Sequence, residues 1–189
     1  MLNLQYSARF QKLAVELGCG DGKMLHWLAS ANSDTFFIGI EINHEEYLRA
    51  RLRKVPSNAV LIEASCEEIV GSLDDLSLDF VLAVFPDPAL VDSKKEKEWR
   101  PFYQKLFKKL KSHGRFRLIT ELTDDLLQPV YQAEFEKWVE WLKSAFSLIG
   151  FSVQNWFEGA PPEYSSRCLD QFRADPLRIR IVTFDFFKP

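Results

Sequence analysis

The chain has 189 residues, of which 47% are hydrophobic and 27% are charged, with a formal net charge of −3. This size and composition predict a single domain over residues 1–189 and argue against a disordered or fibrous chain. The longest apolar run, residues 80–85, is far shorter than a membrane span, and no signal peptide is recognisable. We therefore expect a cytoplasmic monomer or homodimer without a membrane partner. Three widely spaced cysteines and three dispersed histidines predict no metal site.

Short apolar runs alternate with helical patterns along the chain, as in βαβ units. In chain order, the pattern predicts a strand at residues 13–17, a helix at 24–31, a strand at 36–42, a helix at 44–54, strands at 59–63 and 78–85, a helix at 98–111, a strand at 115–120, a helix at 130–146, and strands at 147–157 and 178–187. Right-handed crossovers then give an α/β fold, with a Rossmann-like, doubly wound and mainly parallel sheet of seven strands. The last two strands have no predicted helix between them and are expected to form an antiparallel pair at one edge.

In such a sheet the ligand lies across the carboxyl ends of the strands. The first strand is followed by the segment ELGCGDGK, in which glycines two residues apart let the backbone turn tightly and let a ligand approach it. The segment matches neither the P-loop nor the GxGxxG fingerprint. Glu16 would repel a pyrophosphate but attract a cationic cofactor, and Glu41, at the end of the second strand, is placed to bind ribose hydroxyls. A ligand-free turn and another nucleotide cofactor are the alternatives.

These residues resemble the motif of class I S-adenosylmethionine-dependent methyltransferases. Three further segments, LDFVLAVFPDP, LITEL and SSRCLDQFRADPLRI, are similar to motifs of the bacterial tRNA (guanine-N7) methyltransferases. The chain departs from that family at Ala89, which replaces a tryptophan, and at Leu169, which replaces a glutamate. The family's basic segment after PDP is here LVDSKKEKEWR, which is diluted by acids. The resemblance implies S-adenosyl-L-methionine as cofactor and tRNA as partner.

The motifs also imply which residues form the site. The candidate cofactor-binding residues are Glu16, Gly18, Gly20, Gly22, Glu41, Ser65 and Cys66. Asp87, held between two prolines, is the candidate catalytic residue, because a carboxylate can accept hydrogen bonds from guanine N1–H and N2–H₂. The candidate substrate-binding residues are Glu121, Ser166 and Arg167, the last two on a loop between the final strands. Four of these assignments have a structural alternative: the prolines around Asp87 only end a strand, Glu121 is a solvated or N-capping carboxylate, Cys66 fills the core and Arg167 is a plain surface arginine.

Two rival hypotheses follow from the charge of the chain. Its acidity and the diluted basic segment favour a methyltransferase that acts on a small molecule or a protein, and a non-catalytic module that binds the cofactor or a partner is the second alternative. RNA binding would have to use Lys94, Lys95 and Lys97, together with the lysines of the 98–111 helix, for which a solvated face is the alternative. Trp138 and Trp141 are assigned to packing; if Trp141 is exposed, it marks a partner surface.

Overall fold

A computed structural model describes residues 9–124, 126 and 128–189 of the chain. The strands are β1 (Lys12–Leu17), β2 (Thr35–Glu41), β3 (Ala59–Glu63), β4 (Leu78–Val84), β5 (Leu110–Thr123), β6 (Ser152–Glu158) and β7 (Ile179–Phe187). The helices are α1 (Lys23–Ala31), α2 (His44–Arg51), α3 (Cys66–Ser72), α4 (Glu96–Lys109), α5 (Gln132–Ser147) and α6 (Arg167–Arg173). Two 3-10 turns, Pro88–Leu90 and Ser93–Lys95, lie between β4 and α4. No helix in the described ranges has the length and apolar character that a membrane crossing requires.

The seven strands form one sheet in the order β3-β2-β1-β4-β5-β7-β6. Strands β1 to β5 pair in parallel, whereas β7 is antiparallel to both β5 and β6. The predicted fold class, a mainly parallel seven-stranded sheet with an antiparallel C-terminal pair, is therefore confirmed. Chain order reverses between β1 and β4, and the carboxyl ends of these two neighbours form the crevice that open α/β sheets use for ligands.

Two helices were missed by the sequence analysis, and both begin with a serine cap. The Ser65 hydroxyl accepts a hydrogen bond from the backbone N–H of Glu68 (3.1 Å), and the Ser-x-x-Glu pattern was a readable signal for α3. The Ser166 hydroxyl accepts one from the N–H of Leu169 (3.2 Å) and starts α6. The placement of Ser166 and Arg167 on a loop is therefore wrong, because they form the cap and first turn of a helix between β6 and β7.

The remaining differences are at element boundaries. The predicted 98–111 helix ends at Lys109, because Leu110 already has extended backbone angles and begins β5. Strand β5 then continues to Thr123, three residues past its predicted end, because antiparallel pairing with β7 extends as far as Ile179. Helix α5 runs to Ser147, and Gly150, at φ +120°, lies in the turn before β6.

The sheet is covered by helices on both faces. One core contains the apolar faces of α3, α4 and α5, and the other contains those of α1 and α6. An aromatic cluster dominates the first core; its fully buried members include Trp99, Tyr103, Phe116, Phe146 and Phe186. Burying rings of this size contributes on the order of 2–3 kcal/mol for each side chain. This packing fixes the strand ends on which the candidate site is built.

Candidate active site

A cavity of about 580 Å³ lies at the carboxyl ends of β1, β2 and β4. Its lining comprises residues 16–21, 24, 41, 42, 46, 65–67, 84–87, 89, 90, 102, 103 and 166–168. The structure thus brings together nine of the predicted site residues, which are Glu16, Gly18, Gly20, Glu41, Ser65, Cys66, Asp87, Ser166 and Arg167. Gly22 and Glu121 do not belong to the lining.

The three glycines of the first loop differ in what surrounds them. All three have positive φ angles, between 52° and 71°, that favour glycine over other residues. A Cβ atom at Gly18 or Gly20 would meet no atom within 4 Å, and both residues line the cavity. A Cβ at Gly22 would lie 2.9 Å from the Cβ of Ala50 in α2. Gly22 therefore allows α2 to pack closely against the start of α1, while Gly18 and Gly20 leave backbone open to a ligand.

Glu41 ties the end of β2 to this loop. One carboxylate oxygen accepts the backbone N–H of Gly20 at 2.8 Å, and the other accepts that of Asn43 at 2.7 Å. The residue is 8% exposed, so its carboxylate has a fixed orientation. Each carboxylate oxygen has about two lone-pair sites. Each therefore retains the capacity to accept a hydroxyl group from a sugar.

Glu16 is the most deeply buried acid of the cavity wall, at 2% exposed. Its Oε2 has no hydrogen-bond partner among the described residues. Burial raises the pKa of Glu16 well above its usual value, and the negative charges of Asp21 and Glu41 raise it further. A cation placed here would offset this repulsion, whereas a phosphate would add to it. The orphaned oxygen, the open glycine backbone and the acidic surroundings fit the ammonium and sulfonium groups of S-adenosylmethionine.

The segment after β3 contributes Ser65, the cap of α3, and Cys66, the first residue of that helix. The Ser65 hydroxyl is used as the cap of α3, and the half-buried Cys66 thiol lies near the backbone of Gly18. Burial, and then the charge of Glu67, raises the pKa of Cys66 to about 12. Cys66 is therefore a neutral thiol at physiological pH, which is poorly suited to nucleophilic chemistry.

The end of β4 carries a strained residue that the sequence analysis did not identify. Phe85 has φ +51°, a conformation that costs on the order of 1–3 kcal/mol for a bulky side chain. Its backbone N–H donates to Ile119 O (2.8 Å), and its ring packs on Phe172 of α6, with 4.8 Å between centroids. No sequence signal indicates this angle. The two residues that follow this turn, Pro86 and Asp87, line the cavity.

Asp87 is exposed on the cavity wall and also has a structural role. Its Oδ1 accepts the backbone N–H of Ala89 at 2.8 Å and caps the turn Pro88–Leu90. This bond and the two flanking prolines restrict the position of the carboxylate. The second oxygen, Oδ2, is left to accept hydrogen bonds from a ligand in the cavity.

Glu121 lies inside β5, two residues beyond the Val84–Ile119 pair that joins β4 and β5. Its Oε2 is buried and has no partner among the described residues. Burial raises the pKa of Glu121 to about 7. The group is close enough to Cys168, which lines the cavity, for its charge to help raise the pKa of that thiol. Its proposed contact with substrate stays a prediction.

Helix α6 is joined to α1 and α2 across the mouth of the cavity. Arg167 forms an ion pair with Glu46 of α2, and both residues line the cavity. On the neighbouring helix, the Lys23 ammonium donates to the Ser165 hydroxyl at 2.5 Å and lies 3.6 Å from Asp170. Arg167 is thus committed to a carboxylate in this structure, and a phosphate would have to compete with Glu46.

Comparison with known proteins adds to this geometry. The family model described as "Putative methyltransferase" matches residues 10–144. The chain is 32% identical over 120 residues to a tRNA (guanine-N(7)-)-methyltransferase of Chromobacterium violaceum, covering 60% of this chain and 53% of that protein. It is 29% identical over 125 residues to a bifunctional methyltransferase of Rickettsia prowazekii, covering 62% of this chain and 24% of that protein. The chain therefore spans between a quarter and about half of the length of these curated relatives.

Solved structures support the fold. The 16S rRNA methyltransferase KamB superposes with a TM-score of 0.73 at 14% identity, covering 98% of this chain and 92% of that one. A 16S rRNA (adenine(1408)-N(1))-methyltransferase from Catenulisporales acidiphilia, solved with S-adenosylmethionine, gives a TM-score of 0.63 at 14% identity, covering 96% and 88%. At these identities the likeness concerns the architecture alone.

Proposed function

Because the chain belongs to the methyltransferase family whose model matches residues 10–144, we propose that this S-adenosylmethionine-dependent enzyme methylates guanine N7 in tRNA. The observation that carries the proposal is the single cavity that joins the acidic glycine loop to the carboxylate of Asp87. Relatives such as the Chromobacterium violaceum protein, which is named for tRNA guanine-N7 methylation, support the proposal that tRNA is the substrate and guanine N7 the methylated atom.

The residues that would hold the cofactor divide by chemistry. Glu16 offers a carboxylate to the cationic methionine end, Glu41 offers lone pairs to ribose hydroxyls, and Gly18 and Gly20 leave room along the backbone. Ser65 and Cys66 line the cavity, Cys66 close to the backbone of Gly18, and we assign them to flank the adenine. When bound, S-adenosylmethionine supplies a methyl group activated by the positive charge of its sulfur.

The chain itself contributes mainly orientation. Guanine N7 already carries a lone pair, so no base has to remove a proton before the methyl group is accepted. Asp87 can hold the guanine by accepting hydrogen bonds from N1–H and N2–H₂, groups that distinguish guanine from adenine. A group fixed by a cap and two prolines holds its partner with little loss of entropy on binding.

The proposal is tested by assaying N7-methylguanine formation on unmodified tRNA. We expect Asp87→Asn to lower kcat/KM by at least ~10²-fold, the scale of a lost positioning group. Asparagine can keep the cap, so the melting temperature and its rise with S-adenosylhomocysteine should stay near those of the wild type.

Asp92 provides a matched control, because its Oδ1 caps the next turn through Lys94 N (2.8 Å) without lining the cavity. Asp92→Asn should therefore leave methyl transfer unchanged. Near-normal turnover by Asp87→Asn would remove Asp87 from the active site.

A second candidate function keeps the cofactor and changes the substrate. Six acidic residues line the cavity, and Arg167 is its one basic lining residue among those described. Such a surface favours a small or protein substrate without phosphate groups. Wild-type protein that binds S-adenosylhomocysteine but leaves every tRNA unmethylated would favour this alternative, and protein that methylates no substrate class would favour a non-catalytic binding module.

A further inference from the structure

A second cavity, of about 470 Å³, lies between the end of β5 and α5. Its walls include Leu122 and Thr123 from β5 and two tryptophans, Trp138 and Trp141, from α5. The end of strand β5 therefore lies at this cavity. Nothing in the proposed methyl transfer uses these residues.

The two cavities are neighbours along the chain. Asp87 lines the first, and Ser93, six residues later, lines the second. Six residues span at most about 20 Å even when fully extended, and this segment contains a 3-10 turn that shortens it. A flexible polymer with a unit in the first cavity can therefore place a nearby unit in the second.

The tryptophans form a fixed aromatic surface. They are one helical turn apart on α5, so both point to the same side of the helix. The Trp141 indole N–H donates to Glu96 Oε2 at 3.1 Å, and its ring packs edge-on against Trp99 at 6.1 Å. Trp138 packs beside Phe135, with 6.1 Å between the ring centroids. Both remain partly exposed, so a flat ring can stack there without first ordering them.

Groups of both charges surround the cavity. Asp124 and Glu134 belong to the lining and can accept hydrogen bonds from the amino groups of a base. Exposed lysines lie in the lining at Lys137 and next to it at Lys94 and Lys95, which follow Ser93. A nucleotide can satisfy both kinds of group, because its base carries the ring and the amino groups while its phosphate can pair with the lysines.

We propose that the second cavity binds an unpaired nucleotide of the RNA substrate, with its base stacked on Trp138 or Trp141. The proposal rests on the proposed function, since it places this nucleotide close to the guanosine held in the first cavity. The second cavity would then help to determine which guanosine of the RNA enters the first cavity. Stacking of a base on an aromatic side chain is worth roughly 1–3 kcal/mol, or about 5- to 150-fold in affinity.

The test compares RNA and cofactor affinity in tryptophan variants. We expect Trp138→Ala to raise the KM for unmodified tRNA by at least ~5-fold, with little change in kcat or in S-adenosylhomocysteine binding. Trp138→Phe retains an aromatic face and should recover most of the loss. The matched control is Trp156→Ala: this tryptophan is exposed on β6, outside the cavity, and should leave the KM unchanged.

A binding measurement separates this proposal from the proposed function. Titration with a short single-stranded RNA should quench tryptophan fluorescence in the wild type and in Trp156→Ala. The quench should be smaller in Trp138→Ala and in the double variant that carries both Trp138→Ala and Trp141→Phe. If this quench is seen while no tRNA is methylated, the cavity assignment stands and the guanine-N7 function fails. If the KM and the quench are the same in the wild type, Trp138→Ala and Trp138→Phe, the second cavity does not bind RNA and the proposal is overturned.

Discussion

Glu121 contributes to the pH dependence of stability, in the same direction as the buried Glu16, whose pKa is also raised. Its pKa of about 7 in the folded chain lies above the ordinary value of 4.5, because burial disfavours the charged form. As pH rises from about 4.5 to 7, the unfolded carboxyl loses its proton while the folded one keeps it, so the free energy of unfolding falls. The expected loss is about 3 kcal/mol and levels off above the folded pKa.

Urea denaturation between pH 4 and pH 8 measures this effect directly. Glu121→Gln cannot ionise, so its stability relative to the wild type should increase with pH and reach a plateau above pH 7. The exposed Glu98 serves as the control position, where Glu98→Gln should change the profile little. A stability difference between Glu121→Gln and the wild type that is the same at pH 4.5 and pH 8 would contradict the raised pKa.

The glycine loop allows the same substitution to be compared at two neighbouring positions. Gly20→Ala and Gly22→Ala both put a Cβ at positive φ, which costs roughly 1 kcal/mol or more. At Gly22 the new atom also collides with Ala50, whereas at Gly20 it points into the cavity. We expect Gly22→Ala to lower the melting temperature more, and Gly20→Ala to weaken S-adenosylhomocysteine binding more.

Thermal melting with and without S-adenosylhomocysteine reads both effects, because a ligand that binds the native state raises the melting temperature by mass action. Equal cofactor-induced shifts in Gly20→Ala and the wild type would show that the open space beside Gly20 is not part of the cofactor site.

At the level of elements, the position of α6 depends on Arg173 in its last turn. The guanidinium donates to the backbone carbonyls of Tyr164 (2.6 Å), Ala160 (3.1 Å) and Pro161 (2.5 Å), and so organises the loop that leads into the helix. Hydrogen bonds to a charged group contribute about 1.5–3 kcal/mol each, and removing the donor leaves the carbonyls without it.

Arg173→Ala should therefore destabilise the chain by at least ~2 kcal/mol and speed hydrogen exchange in residues 160–166. Affinity for S-adenosylhomocysteine should fall as well, because residues 166–168 line the cavity. Arg178→Ala is the control, since Arg178 pairs with Asp175 in the exposed turn that follows. Unchanged exchange in the 160–166 loop would mean that the hydrogen bonds of Arg173 do not hold this loop in place.

At the level of the whole molecule, the net charge of −3 limits how strongly RNA can bind. With few cations near the cavities, the dependence of log affinity on log salt concentration should be shallow, with a slope of roughly −2 to −4. Replacing Lys94, Lys95 and Lys97 with alanine should weaken tRNA binding and flatten the slope further, without changing cofactor binding.

Two lysines on the solvent face of α4, Lys105 and Lys108, offer a control that also removes positive charge. Filter binding at several salt concentrations compares the two sets of variants. A larger loss of tRNA affinity on replacing Lys105 and Lys108 than in the triple variant would show that the RNA binds along α4. Undetectable tRNA association of the wild type at about 20 mM salt would argue for a substrate other than RNA.

Much of the fold followed from the sequence because its signals are local. Alternating strands and helices predicted the parallel sheet, and the glycine spacing and the acid at the end of β2 predicted where a ligand approaches. Helices α3 and α6 escaped detection because seven residues are too few for a helical period, even though Ser65 and Ser166 carried cap signals. The insertion of β7 between β5 and β6 is a choice of pairing partner, which strand patterns alone do not specify.

For the candidate site, too, some features follow from local sequence and others depend on long-range contacts. The sequence by itself determined which residue types meet at the strand ends, because the carboxyl ends of parallel strands share one edge of the sheet. Only the tertiary structure decided that Glu41 accepts hydrogen bonds from backbone N–H groups while one oxygen of Glu16 has no partner among the described residues. It also decided that Gly22 makes room for Ala50. The pairing of Arg167 with Glu46, 121 positions away in the chain, is likewise a tertiary contact. Burial and long-range contacts depend on how the helices pack on the sheet, and no local pattern in the chain encodes that packing residue by residue.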